Sequence, residues 1–448
     1  MAQPAQFLDR LEDLIGKARA AGADAADAVL ISSASLSVAR RLGKPERLER
    51  SESSDVGLRV FIGRRQAIVS SSDLSPQGLA ALPERAVAMA RSVPEDPFCG
   101  LADPGLLLAG DVADLDMCDA TEPAAEALFE LTARAEETAL AVPGVTNSEG
   151  AEAGWGLTSV ALAASNGMAR EYRRSGFSLS AAVLAGEGTA MERDYDYSSA
   201  VHLADLRAAE DIGRSAGERA VRRLNPRRVA STQVPVIYDP RVSSSLLGHL
   251  AGAINGAAVA RGTSFLKDKL GKPIFAEGIV IVDDPLRRRG LRSKPFDAEG
   301  VATARRQVID NGILTTWILD LRSARQLGLQ TTGHASRGPS SPPSPSPTNF
   351  YLEPGPLSPT ALMADIRSGL YVTELIGMGV NGVTGDYSRG ASGFWIENGE
   401  LAFPVSEITV AGNLNAMFAN LSAADDLVFR YGTDAPTVRI DGMTLAGQ

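Results

Sequence analysis

The chain has 448 residues, 44% of them hydrophobic, and a formal net charge of -10 from 44 basic against 54 acidic side chains. That length supports two or three domains with cores of their own, and the acidic balance argues against a role dominated by phosphate contacts, because nucleic-acid binders concentrate positive charge. The opening MAQPAQFLDRLEDLIGKARAAG carries charges where a signal peptide needs an unbroken apolar core, and no run of about 18 apolar residues occurs, so a cytoplasmic protein with no membrane segment is expected.

Leu8, Leu11, Leu14, Ile15 and Ala18 recur at helical spacing, which predicts an amphipathic first helix lying on a sheet. Strand-like runs rich in Val, Ile, Leu and Ser follow at 28–40, 56–62 and 67–71, with Gly63-Arg64-Arg65-Gln66 as a hairpin connection. A second helix near 77–92 should stop before Pro94. The Pro, Asp and Gly of 94–116 read as an irregular crossing, and a domain boundary is placed near residue 120. Cys99 and Cys118, the only cysteines, read as free thiols in a reducing compartment.

Residues 123–141 are helical in pattern, 146–165 and 168–184 read as paired strands around Asn166-Gly167, and 204–224 is helical again. After a short strand at 234–238 and a helix at 242–258, strands dominate. The runs 279–283, 307–311, 313–319, 393–397, 400–405 and 437–445 alternate, and Asn311-Gly312 and Asn398-Gly399 are hairpin signals. The expected fold is α+β: two N-terminal α/β sheet layers, residues 1–120 and 121–232, followed by a mainly antiparallel, barrel-like β domain, 233–448. Within it, GPSSPPSPSPT at 338–348 is a polyproline-prone loop that cannot join a central strand. The basic runs 40–50 and 287–292 read as solvated strand or loop faces.

Several patterns suggest chemistry and then fail on their companions. Gly377, Gly379 and Gly382 spell G-x-G-x-x-G, but Val383-Thr384-Gly385-Asp386 continues as turn where a dinucleotide site needs a helix. The alternative is positive φ or close backbone approach in a tight loop. Ser264-Phe265-Leu266-Lys267 matches S-x-x-K without the accompanying K-T-G or S-D-N, so Ser264 reads as a helix-capping residue and Lys267 as exposed. His202, His249 and His334, the only histidines, show no metal-ligand spacing, and no Ser sits in a G-x-S-x-G elbow.

The stretch from Thr373-Glu374-Leu375 through Gly390, the run Gly393-Phe394-Trp395-Ile396-Glu397-Asn398-Gly399, residues 404–414, Thr348-Asn349-Phe350-Tyr351 and residues 53–64 together resemble the TldD/PmbA family of bacterial metallopeptidase subunits, on its PmbA (TldE) branch. In that family the catalytic partner, TldD, binds zinc through a helical His-Glu, three residues, then His, and a later cysteine. Two histidines five apart lie about 140° apart on an ideal helix, so that site needs a distorted turn. With the alignment anchored on Arg261-Gly262-Thr263-Ser264, the motif falls on residues 247–252. Its ligand positions are Leu247 and Gly252, its general-base position is Gly248, and no cysteine follows Cys118.

The resemblance implies a subunit that binds no zinc and carries no catalytic residue itself, with zinc in a TldD-like partner and an extended or unfolded peptide as substrate, held by strand addition. A homodimer in the absence of the partner is left open; no membrane or nucleic-acid partner is expected. The candidate groove or structural loop residues are Asn381, Thr384, Asp386, Ser388 and Arg389, which serve equally well as turn caps and local pairs. Two other readings stand beside this one. The first is a regulatory protein acting on a DNA-handling enzyme such as gyrase, and the second an independent hydrolase using Asp386, Ser388 or Arg389.

Overall fold

The computed structural model describes residues 5–447. The first helix, α1 (Ala5–Ala20), buries Leu11, Leu14, Ile15 and Ala18 against β1 (Ala25–Arg41) and β2 (Lys44–Ile62), as the spacing of its apolar residues requires. A two-residue turn leads to β3 (Arg65–Ser71). The helix expected over 77–92 is two pieces, α2 (Pro76–Ala80) and α3 (Leu82–Ser92). Pro83 has no N–H to continue the ladder through the junction. Then come α4 (Ala125–Leu140), β4 (Val145–Ala164), β5 (Ala169–Ala185), β6 (Glu192–Ala200) and α5 (Ala209–Arg222).

The two expected α/β layers are one sheet, in the order β3-β2-β1-β4-β5-β6. β1 and β4 run antiparallel in unbroken register from Asp27↔Ala164 to Arg40↔Ala151. The correction has a simple cause. β1 contains neither proline nor glycine, so both of its edges can be laddered, and two separate layers would have left one of them open. The four long helices of this region cover the same face: α1 and α3 lie over one half, α4 and α5 over the other. The opposite face, with Val29 and Leu162, meets Met168 and Phe296.

In the C-terminal region β7 (Thr232–Tyr238) pairs in parallel with Ser368–Ile376 and antiparallel with Val438–Ala446. The 368–376 strand pairs with Asp386–Glu397, which pairs with Glu400–Asn413. Thr409↔Ala446 to Ala411↔Thr444 then brings the last of these back to the 438–446 strand. The ring closes on five strands, antiparallel except at one seam, as the barrel expectation required. Asn398 (φ 52°) and Gly399 (φ 83°) make the turn that joins two of its strands, and Asn311 and Gly312 make a second such turn elsewhere. Beside the barrel lies a sheet of shorter strands, in which the run expected over 313–319 supplies only Ile313–Leu314.

The helix expected over 242–258 is α6 (Pro240–Ala253) followed by α7 (Gly256–Ala260), with Asn255 capping the second from its side chain to Ala257 N. Leu246, Leu247 and Leu250 of α6 share a core with Val236, Leu370 and Val372 of the barrel. Two charge clusters bind this region to the N-terminal sheet. On the sheet face, Arg59 holds Asp27 bidentately and Arg337 donates to the same carboxylate at 2.6 Å. At the sheet's end, Asp194 of β6 receives Arg241 of α6 at 2.7 Å, and Arg223 lies 2.6 Å from Glu374 on the 368–376 strand. Among the described residues no helix is long and apolar enough to cross a membrane.

Candidate functional site

Most of the residues singled out from the sequence lie at one end of the barrel, where α6, the loop 377–385 and the 386–397 strand come together. The loop is a turn and no helix starts at Gly382, so the glycine spacing there has no dinucleotide meaning. Gly379 is required by close approach: a Cβ on it would stand 2.1 Å from the carbonyl oxygen of Ser388. Phe265 N donates to Gly382 O, which ties the loop to the segment after α7.

Three of the five loop candidates close the loop on itself. Asn381 Oδ1 accepts from the N–H groups of Val383 and Thr384 at 2.9 and 3.3 Å. Thr384 Oγ1 donates to Asp386 Oδ2 at 2.6 Å, and Asn413 Nδ2 donates to Asp386 Oδ1 at 3.1 Å. Those two bonds, from Thr384 first and then Asn413, hold the Asp386 carboxyl below the usual carboxylate range. Ser388 stands apart, exposed on the outer side of its strand. Arg389, one residue on, turns the other way by the alternation of a strand and shares the inner side with buried Tyr387.

There Arg389 joins a group whose members the sequence reading left separate. The His249 ring meets Tyr387 edge to face at 5.9 Å. The hydroxyl of fully buried Tyr238 lies beside the Tyr387 hydroxyl and within reach of the Arg389 cation. His249 Nε2, the Tyr238 and Tyr387 hydroxyls and Arg389 Nε are buried without a hydrogen-bond partner among the described residues. Burial, and then the Arg389 cation, lowers the His249 pKa, so its imidazole is neutral near pH 7. Burial pushes both tyrosine hydroxyls up. A cation, a neutral imidazole and two neutral hydroxyls form a donor-rich patch that can hold a carbonyl or carboxylate oxygen. The one sequence signal for it is the Tyr-x-Arg spacing that puts Tyr387 and Arg389 on the same side of a strand.

The motif positions on α6 have no lone pair for a metal. Leu247 is buried in the apolar core, and Gly248 and Gly252 lie exposed with open space beside them. Such a donor set does not fit zinc. Among the described residues no three His, Cys, Asp or Glu side chains gather closely enough to hold a metal ion. His334 is spent elsewhere: Nδ1 meets Thr332 Oγ1 at 2.8 Å and Nε2 meets Asp283 Oδ2 at 3.0 Å, while Asp283 also accepts from the N–H and hydroxyl of Thr348. His202 bonds the Asp116 carbonyl. Ser264 is buried, with its hydroxyl donating to Ala253 O and accepting from Leu266 N; a turn and no helix follows it, so the expected helix cap is a turn contact.

Comparison with known proteins places this geometry in context. Three models of the PmbA/TldA metallopeptidase match: domain 1 at residues 26–90, the central domain at 118–224 and the C-terminal domain at 231–447. The "Metalloprotease PmbA" of Escherichia coli O157:H7 is 40% identical over 427 residues, covering 95% of this chain and 93% of that protein. The "Metalloprotease PmbA homolog" of Haemophilus influenzae is 37% identical, with 100% and 97% covered. Among solved structures, a Bacteroides thetaiotaomicron protein described as a modulator of DNA gyrase superposes with a TM-score of 0.90 at 29% identity, covering 98% of each chain. TldE from Thermococcus kodakarensis gives 0.87 at 20% identity over 98% of this chain and 100% of that one, a likeness of fold.

Proposed function

Because the chain belongs to the PmbA/TldD metallopeptidase family, we propose that it is the subunit of a cytoplasmic, two-component peptidase that does not carry the zinc. In this reading a TldD-like partner supplies the metal and the hydrolysis. The observation that carries it is α6: where the catalytic partner of the family has two imidazoles and a carboxylate, this helix has one leucine turned into the core and two exposed glycines. The present chain contributes scaffold and substrate contacts. Arg389 is the loop candidate whose charge is not consumed by the loop's own turns, and we assign it to the main chain of an extended peptide.

Metal analysis and peptidase assays on the chain alone and mixed with a TldD-type partner test this. The expected result is no retained zinc and no cleavage alone, and chelator-sensitive cleavage of an unfolded peptide in the mixture. Chelator-sensitive cleavage by the chain alone would reject the proposal. The reading as a regulator of a DNA-handling enzyme has in its favour the description of the Bacteroides neighbour; a net charge of -10 weighs against direct contact with DNA.

A further inference from the structure

The basic run 287–292, which reads in sequence as a solvated loop face, keeps Arg288, Arg289 and Arg292 exposed, and its residues 287–291 border an open pocket where β6 meets the C-terminal region. The cavity measures about 220 Å³ and is bounded by Ala200 and Val201 on one side and by Arg287, Arg430 and Gly432 on the other. The arginines around it are unequally neutralised. Arg289 pairs with Asp116 at 2.6 Å and Asp205 at 3.0 Å, and Arg288 reaches Asp116 at 3.5 Å. Of the lining arginines, Arg287 and Arg430 have no carboxylate within 4.0 Å among the described residues, although Asp205 and Asp434 also line the pocket.

Asp434 offsets part of the charge of Arg287, but backbone N–H groups hold both of its oxygens, so it makes no direct bond to the guanidiniums. Its Oδ1 accepts the N–H groups of Arg430 and Tyr431 at 2.8 and 2.9 Å, and its Oδ2 accepts Gly432 N at 3.0 Å. Arg287 is fixed in place, with its guanidinium carbon 3.4 Å from the centre of the Phe429 ring. The stem of Arg292 lies over Gly432, where a Cβ would stand 2.7 Å from Arg292 Cγ. Holding guanidiniums that lack a close carboxylate near one another costs free energy through mutual repulsion. An acidic protein that gathers them around a defined space has a binding surface for an anion there.

We propose that this cavity binds a phosphate group. A guanidinium presents paired N–H donors that match two oxygens of a tetrahedral oxyanion. The volume suits one such group with a few waters, at about 30 Å³ for each water. Free inorganic phosphate and the phosphoryl group of a small metabolite or phosphorylated side chain share this chemistry. The site is independent of the barrel end and of the peptidase reading.

The test is calorimetric titration of the full chain at low ionic strength with inorganic phosphate and, separately, with O-phosphoserine, with acetate as the carboxylate control. Inorganic phosphate should bind saturably at one site and raise the melting temperature, while acetate should not. Arg287→Gln and Arg430→Gln should each weaken binding about tenfold, the loss of one charge-assisted contact, and Arg288→Gln should leave it nearly unchanged. Tighter binding of O-phosphoserine would identify the carried group as the ligand, and tighter binding of inorganic phosphate the free ion. Arg430→Lys keeps the charge and removes the fork, so a partial loss is expected there even if a glutamine variant folds poorly. Absence of saturation up to about 10 mM of either phosphate probe, or equal affinity in Arg288→Gln and Arg430→Gln, would overturn the assignment.

Discussion

Arg337, at the entrance to the proline-rich loop, donates from Nη1 to Oδ1 of Asp27 on β1 at 2.6 Å, and the two side chains are 2% and 3% exposed. The bond joins segments that the chain separates by more than three hundred residues. Burial alone would raise the Asp27 pKa, but Arg337 and Arg59 outweigh it and the carboxyl lies below its usual range. Burial would lower both guanidiniums; attraction to Asp27 wins for Arg59, which holds it bidentately, and burial wins for Arg337, which has one bond. Removing the carboxylate therefore strands two buried cations. Asp27→Ala should cost about 3–5 kcal/mol of unfolding free energy, and Arg337→Met clearly less, because the Asp27–Arg59 pair survives. Urea denaturation of both variants checks this, and equal losses would refute the asymmetry. Since the folded pKa is depressed, the contribution of Asp27 is complete above about pH 4 and is lost as the pH falls through the folded value.

Glu299 should give the opposite slope. It is buried beside this cluster and beside Asp297, accepts the Leu321 N–H, and is pushed up to about 8 by burial and by the Asp297 charge. A carboxyl raised in this way keeps a proton that the unfolded chain releases between about pH 4.5 and 8. Stability must then fall as the pH rises through that window, by at most about 1.4 kcal/mol per pH unit for one proton. Glu299→Gln retains an oxygen for Leu321 N and cannot ionise. Its unfolding free energy should exceed the parent's at pH 8 and change less between pH 5 and pH 8; identical profiles for the two proteins would show that Glu299 does not carry the slope.

What was legible in the sequence was what rests on local periodicity. Leu11, Leu14 and Ala18 define α1, and Asn398-Gly399 defines its hairpin, because one helical stripe or one positive-φ pair is enough. The joining of β1 to β4 was not legible, because no property of one strand names a partner more than a hundred residues away. β6 was missed for a different reason. Its Asp194 and Asp196 are buried, and charges at core positions look like loop; Arg241, Arg207 and Arg219 from outside the strand neutralise them. At the barrel end, the loop-capping roles of Asn381, Thr384 and Asp386 were foreseeable from their residue types. The meeting of His249, Tyr238 and Arg389 depends on how α6 lies against the barrel, which the sequence does not state.

The loop glycines separate by position. Gly379→Ala puts a methyl group 2.1 Å from a carbonyl oxygen, whereas a Cβ at Gly382 finds nothing within 4 Å and needs no positive φ. Limited proteolysis should show the 377–385 loop opened in Gly379→Ala and unchanged in Gly382→Ala. A dinucleotide-type loop would make both glycines matter, so sensitivity at Gly382 would count against a purely structural loop.

Arg389 offers the sharpest division between support and function. Among the described residues its one hydrogen bond runs from Nη2 to Leu375 O at 3.4 Å, and its Nε has no partner. Arg389→Gln should therefore melt within a few degrees of the parent, yet lower peptide cleavage by the reconstituted two-subunit enzyme about tenfold if the guanidinium holds a substrate carbonyl or carboxylate. Tyr387→Phe sharpens the comparison. The Tyr387 hydroxyl makes no well-formed hydrogen bond among the described residues and has the Tyr238 hydroxyl near it, so the phenylalanine variant should lie within about 1 kcal/mol of the parent. If the hydroxyl instead faces substrate, cleavage falls while stability holds, and the loss should lie mainly in KM, because a ground-state contact is removed without touching the partner's reacting centre. Full activity in both variants would return the cluster to a packing role and leave the barrel end as scaffold only.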